Sequence, residues 1–217
     1  MNKIKAIAFD LDGLMVNTEE IYDEVCEKLL AKRGSHFDLE LKLKMMGRPG
    51  PVAIEIMKTE RGISDSVEEL QFEVETYFHE ILPDKVDTLP GLIRLLDFVE
   101  EQNLPKCVAT SSFRKHASAV LDHCGLHGRF EFVLTSEDVV NGKPAPEVYL
   151  LAAEKHSVHP EEMLVLEDSV LGSTAGVAAG AVVVAVPGSH SIDCDYSHVP
   201  RVADSLNDDL IYELLIG

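Results

Sequence analysis

Five short runs in this chain are apolar at nearly every position: Ala6 to Phe9, Cys107 to Ala109, Phe132 to Leu134, Met163 to Leu166 and Ala181 to Val186. A strand with one wet face alternates apolar and polar residues, whereas a strand covered on both faces stays apolar throughout. The runs therefore predict buried parallel strands. Between them the apolar residues switch to helical spacing, as in Leu92, Leu95, Leu96 and Val99, and further helical stretches follow Arg114, Pro146 and Ser169. Strand and helix in alternation predict an α/β fold with a doubly wound, mainly parallel, Rossmann-like sheet.

One segment interrupts the alternation. Residues 17–86 show no strand pattern, only helical ones. Asn17-x-x-Glu20 reads as a capping box leading into Ile21, Val25 and Leu29, with Gly34 as the stop. Ser66-x-x-Glu69 is a second such box, leading into Leu70, Val74, Tyr77 and Ile81. A crossover between parallel strands needs far less chain. The expected organisation is an α-helical domain over 17–86 inserted into a core made of 1–16 and 87–217, with Pro83 and Pro90-Gly91 marking the return hinge. The stretch from Pro187 to Pro200 is polar and turn-rich, and its sequence assigns it no task.

Composition narrows the partners. The chain has 38 acidic and 19 basic residues, a formal net charge of -19 over 217 residues. Such a chain repels phosphate backbones and anionic lipid surfaces, so neither nucleic acid nor membrane is expected as a partner. A small anion can be held only by a local cluster of donors. The cysteines Cys26, Cys107, Cys124 and Cys194 form no C-x-x-C pair and read as reduced thiols rather than a disulfide or zinc framework. With neither a signal-peptide apolar region nor a run of membrane-spanning length, a cytoplasmic protein is expected, acting as a monomer.

Four groups stand just beyond predicted strands, the edge where open α/β sheets bind ligands. Asp10 and Asp12, two apart after the first strand, point the same way, and their repulsion calls for a cation or a shared proton. Magnesium suits such hard oxygen ligands, although Asp12-Gly13 could equally be a turn and Asp10 a cap. Thr110, Ser111 and Ser112 could cradle phosphate or merely cap a helix. Lys143, stiffened by Pro144 and Pro146, could be a point charge toward phosphate or a surface lysine. Glu167 and Asp168 could complete a metal site, or Asp168 could cap the helix that follows. Together on one edge, the four supply the parts of phosphoryl transfer.

These phrases resemble the haloacid-dehalogenase-like hydrolases, in the subgroup with a helical cap after the first strand. The match runs from Asp10-Leu11-Asp12-Gly13-Leu14-Met15-Val16-Asn17-Thr18-Glu19 through Ala109-Thr110-Ser111-Ser112, Gly142-Lys143-Pro144-Ala145-Pro146 and Leu166-Glu167-Asp168-Ser169 to Ala179-Gly180. The resemblance implies a magnesium-dependent phosphatase acting on a small phosphorylated metabolite. It makes Asp10 the nucleophile that becomes an aspartyl-phosphate, and Asp12 the general acid and then base. It gives the phosphoryl oxygens to the Thr110 hydroxyl and the Ser111 amide, with Ser112 beside them, and charge neutralisation to Lys143. It gives the metal to Asp10, Asp168 and the Asp12 carbonyl, with Glu167 in support. Arg48, after Gly47, is the candidate for closing over the leaving group. Asn17 stands where many relatives carry Asp, and a helix N-cap accepts either.

The same motifs serve phosphosugar mutases of the β-phosphoglucomutase kind. Mutase-like relatives carry His four residues after the threonine equivalent to Thr18, where this chain has Tyr22, which favours the phosphatase. A dehalogenase would lack Asp12. A receiver-type signalling module would lack the helical insertion.

Overall fold

The computed structural model describes residues 3–46 and 48–216. In chain order the elements are strand β1 (Ala6–Phe9), helices α1 (Thr18–Ala31), α2 (Leu39–Met45), α3 (Gly50–Arg61), α4 (Val67–Lys85) and α5 (Leu92–Glu101), then β2 (Lys106–Ala109), α6 (Arg114–His123), β3 (Val133–Leu134), α7 (Glu147–Lys155), β4 (Met163–Glu167), α8 (Val170–Ala178), β5 (Val182–Ala185) and α9 (Asp209–Ile216). The chain separates into two compact units, one spanning Thr18–Val86 and the other formed by the segments on either side.

The core unit holds a five-stranded sheet in the order β3-β2-β1-β4-β5. Its strand pairs are all parallel, and Phe9 lies opposite both Val108 and Leu166. The strands begin and end within one residue of the apolar runs. Burial explains the pattern: β1, β2 and β4 are buried at every position. Even Lys106 enters β2, because its ammonium reaches Glu100 at 3.0 Å. One face of the sheet is covered by α7 and α8, whose Val148, Tyr149, Ala152 and Ala175 pack against Ala8, Ala109 and Val165. Strand order reverses at β1, so the carboxyl ends of β1 and β4 flank the switch point where such sheets open a crevice.

The helical unit, α1 to α4, has its own core of Leu29, Leu30, Leu41, Ile54, Met57 and Leu70. Ser66 and Glu69 form the expected capping box on α4. Pro83 is a correction to the sequence reading, because it lies inside α4 and not at a hinge. A proline there lacks one helical N–H, but Phe78 and Leu82 are buried and hold the last turn, and the Val86 amide still reaches the Leu82 carbonyl at 3.0 Å. The segments that leave and re-enter the core are tied together. The amide of Asp87 donates to Asn17 Oδ1 at 2.7 Å, and the Asn17 amide to the Asp87 carbonyl at 3.2 Å. Among the described residues, no helix is long and apolar enough to cross a membrane.

Candidate active site

The site is assembled where β1, β2 and β4 end. Asp10 is the first residue after β1, nearly fully buried, with its amide bonded to the Leu166 carbonyl at 3.0 Å. Its carboxylate accepts from the Lys143 ammonium. Lys143 is itself buried, and also donates to Glu167 Oε1 at 2.7 Å and to the Ala109 carbonyl at 2.9 Å. The peptide between Lys143 and Pro144 is cis. Lys143 is therefore not a surface lysine. It stands between two carboxylates and the end of β2.

Glu167 is completely buried and fully engaged. Oε1 also accepts from the Tyr149 hydroxyl at 2.8 Å, and Oε2 from the amide and hydroxyl of Ser169 at 3.1 and 3.0 Å. Ser169, rather than Asp168, caps α8, accepting from the Gly172 amide at 3.0 Å. Gly172 leaves room for this arrangement: a Cβ there would lie 1.6 Å from Glu167 Oε1. Gly172→Ala is accordingly expected to displace Glu167, to cost about 1–3 kcal/mol in stability and to lower activity sharply. Gly128→Ala, where a Cβ would meet nothing within 4 Å, should be near neutral. Thermal melts and turnover of the two variants check this.

Asp12 has its own set of partners. Its Oδ2 accepts from the hydroxyls of Thr110 at 3.0 Å and Ser112 at 2.7 Å, and its Oδ1 lies 3.1 Å from His116 Nε2. The Ser112 amide in turn donates to Thr110 Oγ1 at 3.0 Å. These hydroxyls are not spent on capping. Helix α6 begins behind Phe113, which makes no side-chain cap. The backbone just past Asp12 turns sharply at Gly13, with φ of 81°.

The electrostatics call for a further positive charge. Burial pushes the Asp10 carboxyl well above the usual carboxylate range; Lys143 opposes this, while Glu167 and Asp12 add to it. Lys143 is held protonated by Asp10 and Glu167, against the effect of its burial. Asp10, Glu167 and Asp168, all buried, offer oxygens within 4.8 Å of one another. One ammonium beside three carboxylates leaves excess negative charge, and hard oxygen donors in that number fit a magnesium ion.

The core thus gathers Asp10, Asp12, Thr110, Ser112, Lys143, Glu167 and Asp168 around one sheet edge, with Ser111 in the same loop. Arg48 belongs to the helical unit, exposed on the bend before α3, and Gly47 lies outside the described residues. Tyr22 packs within the helical unit too, its ring tilted against Phe78 with centroids 4.9 Å apart. Sequence reasoning missed His116 and Tyr149. His116 lies in the first turn of α6, one turn past the hydroxyl cluster. Tyr149 is a phenol inside an otherwise apolar helix face, and that odd hydroxyl was a readable signal.

A parallel doubly wound sheet with buried carboxylates, a lysine and hydroxyls at its switch point defines a class of phosphoryl-handling hydrolases. Residues 7–186 match the haloacid dehalogenase-like hydrolase family. The chain belongs to that family, among its phosphoric monoester hydrolases. It is 36% identical over 216 residues to (DL)-glycerol-3-phosphatase 2 of Arabidopsis thaliana, covering 96% of this chain and 88% of that one. It is 30% identical to the phosphorylated carbohydrates phosphatase of Thermotoga maritima, covering 82% of each. Among solved structures, β-phosphoglucomutase from Clostridium difficile superposes with a TM-score of 0.82 at 25% identity, over 98% of this chain and 97% of that one.

Proposed function

We propose that the chain hydrolyses a small phosphate monoester, a sugar phosphate or similar metabolite, with magnesium and through an aspartyl-phosphate on Asp10. One observation carries the reading: a buried Asp10 carboxylate held by Lys143 beside Glu167 and Asp168, with Asp12 tethered to hydroxyls at the same sheet edge. In the first step a carboxylate oxygen of Asp10 attacks phosphorus, the bond to the leaving oxygen breaks, and Asp12 gives that oxygen its proton. In the second step Asp12 takes a proton from water, the water oxygen attacks phosphorus, and the bond to Asp10 breaks, releasing inorganic phosphate. Thr110 and Ser112 turn their hydroxyls from Asp12 to the phosphoryl oxygens, and Ser111 offers its amide to them. Lys143 offsets charge throughout, with no reorganisation at the moment of reaction. Magnesium, held by Asp10, Asp168 and the Asp12 carbonyl, would supply further charge compensation there. Glu167, bound on both oxygens, supports Lys143 and the Asp168 loop.

The test is a panel of small phosphorylated metabolites, glycerol and sugar phosphates included, assayed for phosphate release. Release that needs magnesium and stops on chelation is expected. No release across the panel, or release indifferent to chelation, would overturn the reading. The likeness to β-phosphoglucomutase adds one arm: a hexose 1-phosphate with catalytic hexose bisphosphate. Free phosphate should dominate there, and a large excess of isomerised sugar phosphate would instead identify a mutase.

A further inference from the structure

Residues 187–200 contain no helix or strand, yet two of their side chains reach the same atom. Ser191 Oγ donates to the backbone carbonyl of Asp168 at 2.8 Å, and the Tyr196 hydroxyl donates to that same oxygen. Both side chains are buried. A carbonyl oxygen has two lone pairs, so this one is saturated from a single loop. The loop is itself braced. The amide of Ser191 bonds the Gly188 carbonyl at 3.1 Å, that of Val199 the Tyr196 carbonyl at 2.8 Å, and His198 Nε2 lies 3.0 Å from Ser173 Oγ on α8.

The other end of the same peptide unit is fixed as well. The amide of Ser169 donates to Glu167 Oε2 at 3.1 Å. The peptide joining Asp168 to Ser169 is therefore pinned at both its C=O and its N–H. With that plane held, rotation about the Asp168 Cα–C bond is restrained, and with it the direction in which the side chain leaves the backbone. One step upstream, the Val186 amide holds the Glu167 carbonyl at 2.7 Å.

We infer that the 187–200 loop is a clamp on the metal site, with Ser191 and Tyr196 as positioning residues that aim the Asp168 carboxylate. The inference rests on the reading that Asp168 binds magnesium. Partners one shell out from a metal ligand commonly govern affinity, because a ligand held off its angle loses coordination energy.

The experiment is Mn2+ binding to the whole protein without substrate, followed by the electron paramagnetic resonance of free Mn2+, alongside the magnesium dependence of turnover. Tyr196→Phe and Ser191→Ala together should weaken Mn2+ binding by about 10- to 100-fold. Each single variant should fall between, and Ser191→Thr, which keeps the hydroxyl, should recover most of the affinity. The magnesium concentration for half-maximal rate should rise in parallel, while substrate KM at saturating magnesium stays within about twofold. Ile192→Ser, exposed on the same loop, should bind as wild type. If wild type binds Mn2+ and the double variant binds it equally well, the clamp is overturned and the metal reading stands. If wild type binds no Mn2+ or Mg2+, both fall together.

Discussion

Asp10→Asn should leave a folded protein whose turnover is lower by at least ~10⁴-fold, the scale on which a lost nucleophile acts. An amide of the same shape fills the space but cannot form the acyl phosphate. Folding should survive, because the amide keeps the packing and Lys143 retains Glu167 as its counter-charge. Burial raises the pKa of the Asp10 carboxyl, and Glu167 and Asp12 repel it, so a neutral amide removes an unfavourable charge while losing the contact with Lys143. The melting temperature is therefore expected to move by a few degrees at most in either direction. Turnover is read against intact-mass confirmation that the introduced amide has not deamidated. Near-wild-type activity in a verified variant would remove Asp10 from the chemistry.

Lys143→Met should be damaging in both respects. Removing one partner of a buried ion pair leaves an uncompensated charge, at a cost of about 3–5 kcal/mol. Lys143 serves two buried carboxylates and a carbonyl at once. For a chain of this size that corresponds to a fall on the order of 10 °C in melting temperature. The pH dependence has a definite sign. Without the ammonium, the folded-state pKa of Asp10, already raised by burial, rises further. A carboxyl whose folded pKa exceeds its unfolded value of about 3.9 binds more protons folded than unfolded between those two values. Its destabilisation is thus largest at neutral and higher pH and is relieved as pH falls toward about 4. The stability gap between wild type and variant should narrow on acidification. A gap constant across pH would mean that the loss is one of packing rather than charge. Turnover should drop by orders of magnitude under all conditions.

Much of the fold was legible because burial on both faces writes itself as uninterrupted apolar sequence, and all five strands carry that mark. The helical segment announced itself by the absence of strand pattern and by Ser66 and Glu69. Pro83 misled because local propensity points to a break, whereas the buried Phe78 and Leu82 decide the conformation. Helix α9 went unread because only Ile211 and Leu215 are buried in its short span, too few to establish a period. The acidic and hydroxyl groups of the site were visible as residue types just beyond strands. What sequence left open was direction. It could not say that Lys143 turns inward, that Ser169 takes the capping task from Asp168, or that Thr110 and Ser112 spend their hydroxyls on Asp12. His116, Ser191 and Tyr196 were beyond reach, since their partners lie far away in the chain and only tertiary packing brings them together.

The proposed chemistry turns on a covalent bond to Asp10. Enzyme mixed with a turned-over phosphate monoester and magnesium, quenched within the steady state and treated with borohydride, would have any acyl phosphate reduced to the alcohol. Peptide mass spectrometry should then find homoserine in place of Asp10, only when substrate was present, and Asp12 unchanged. Steady turnover with Asp10 unmodified, or with the label on another carboxylate, would contradict the central claim.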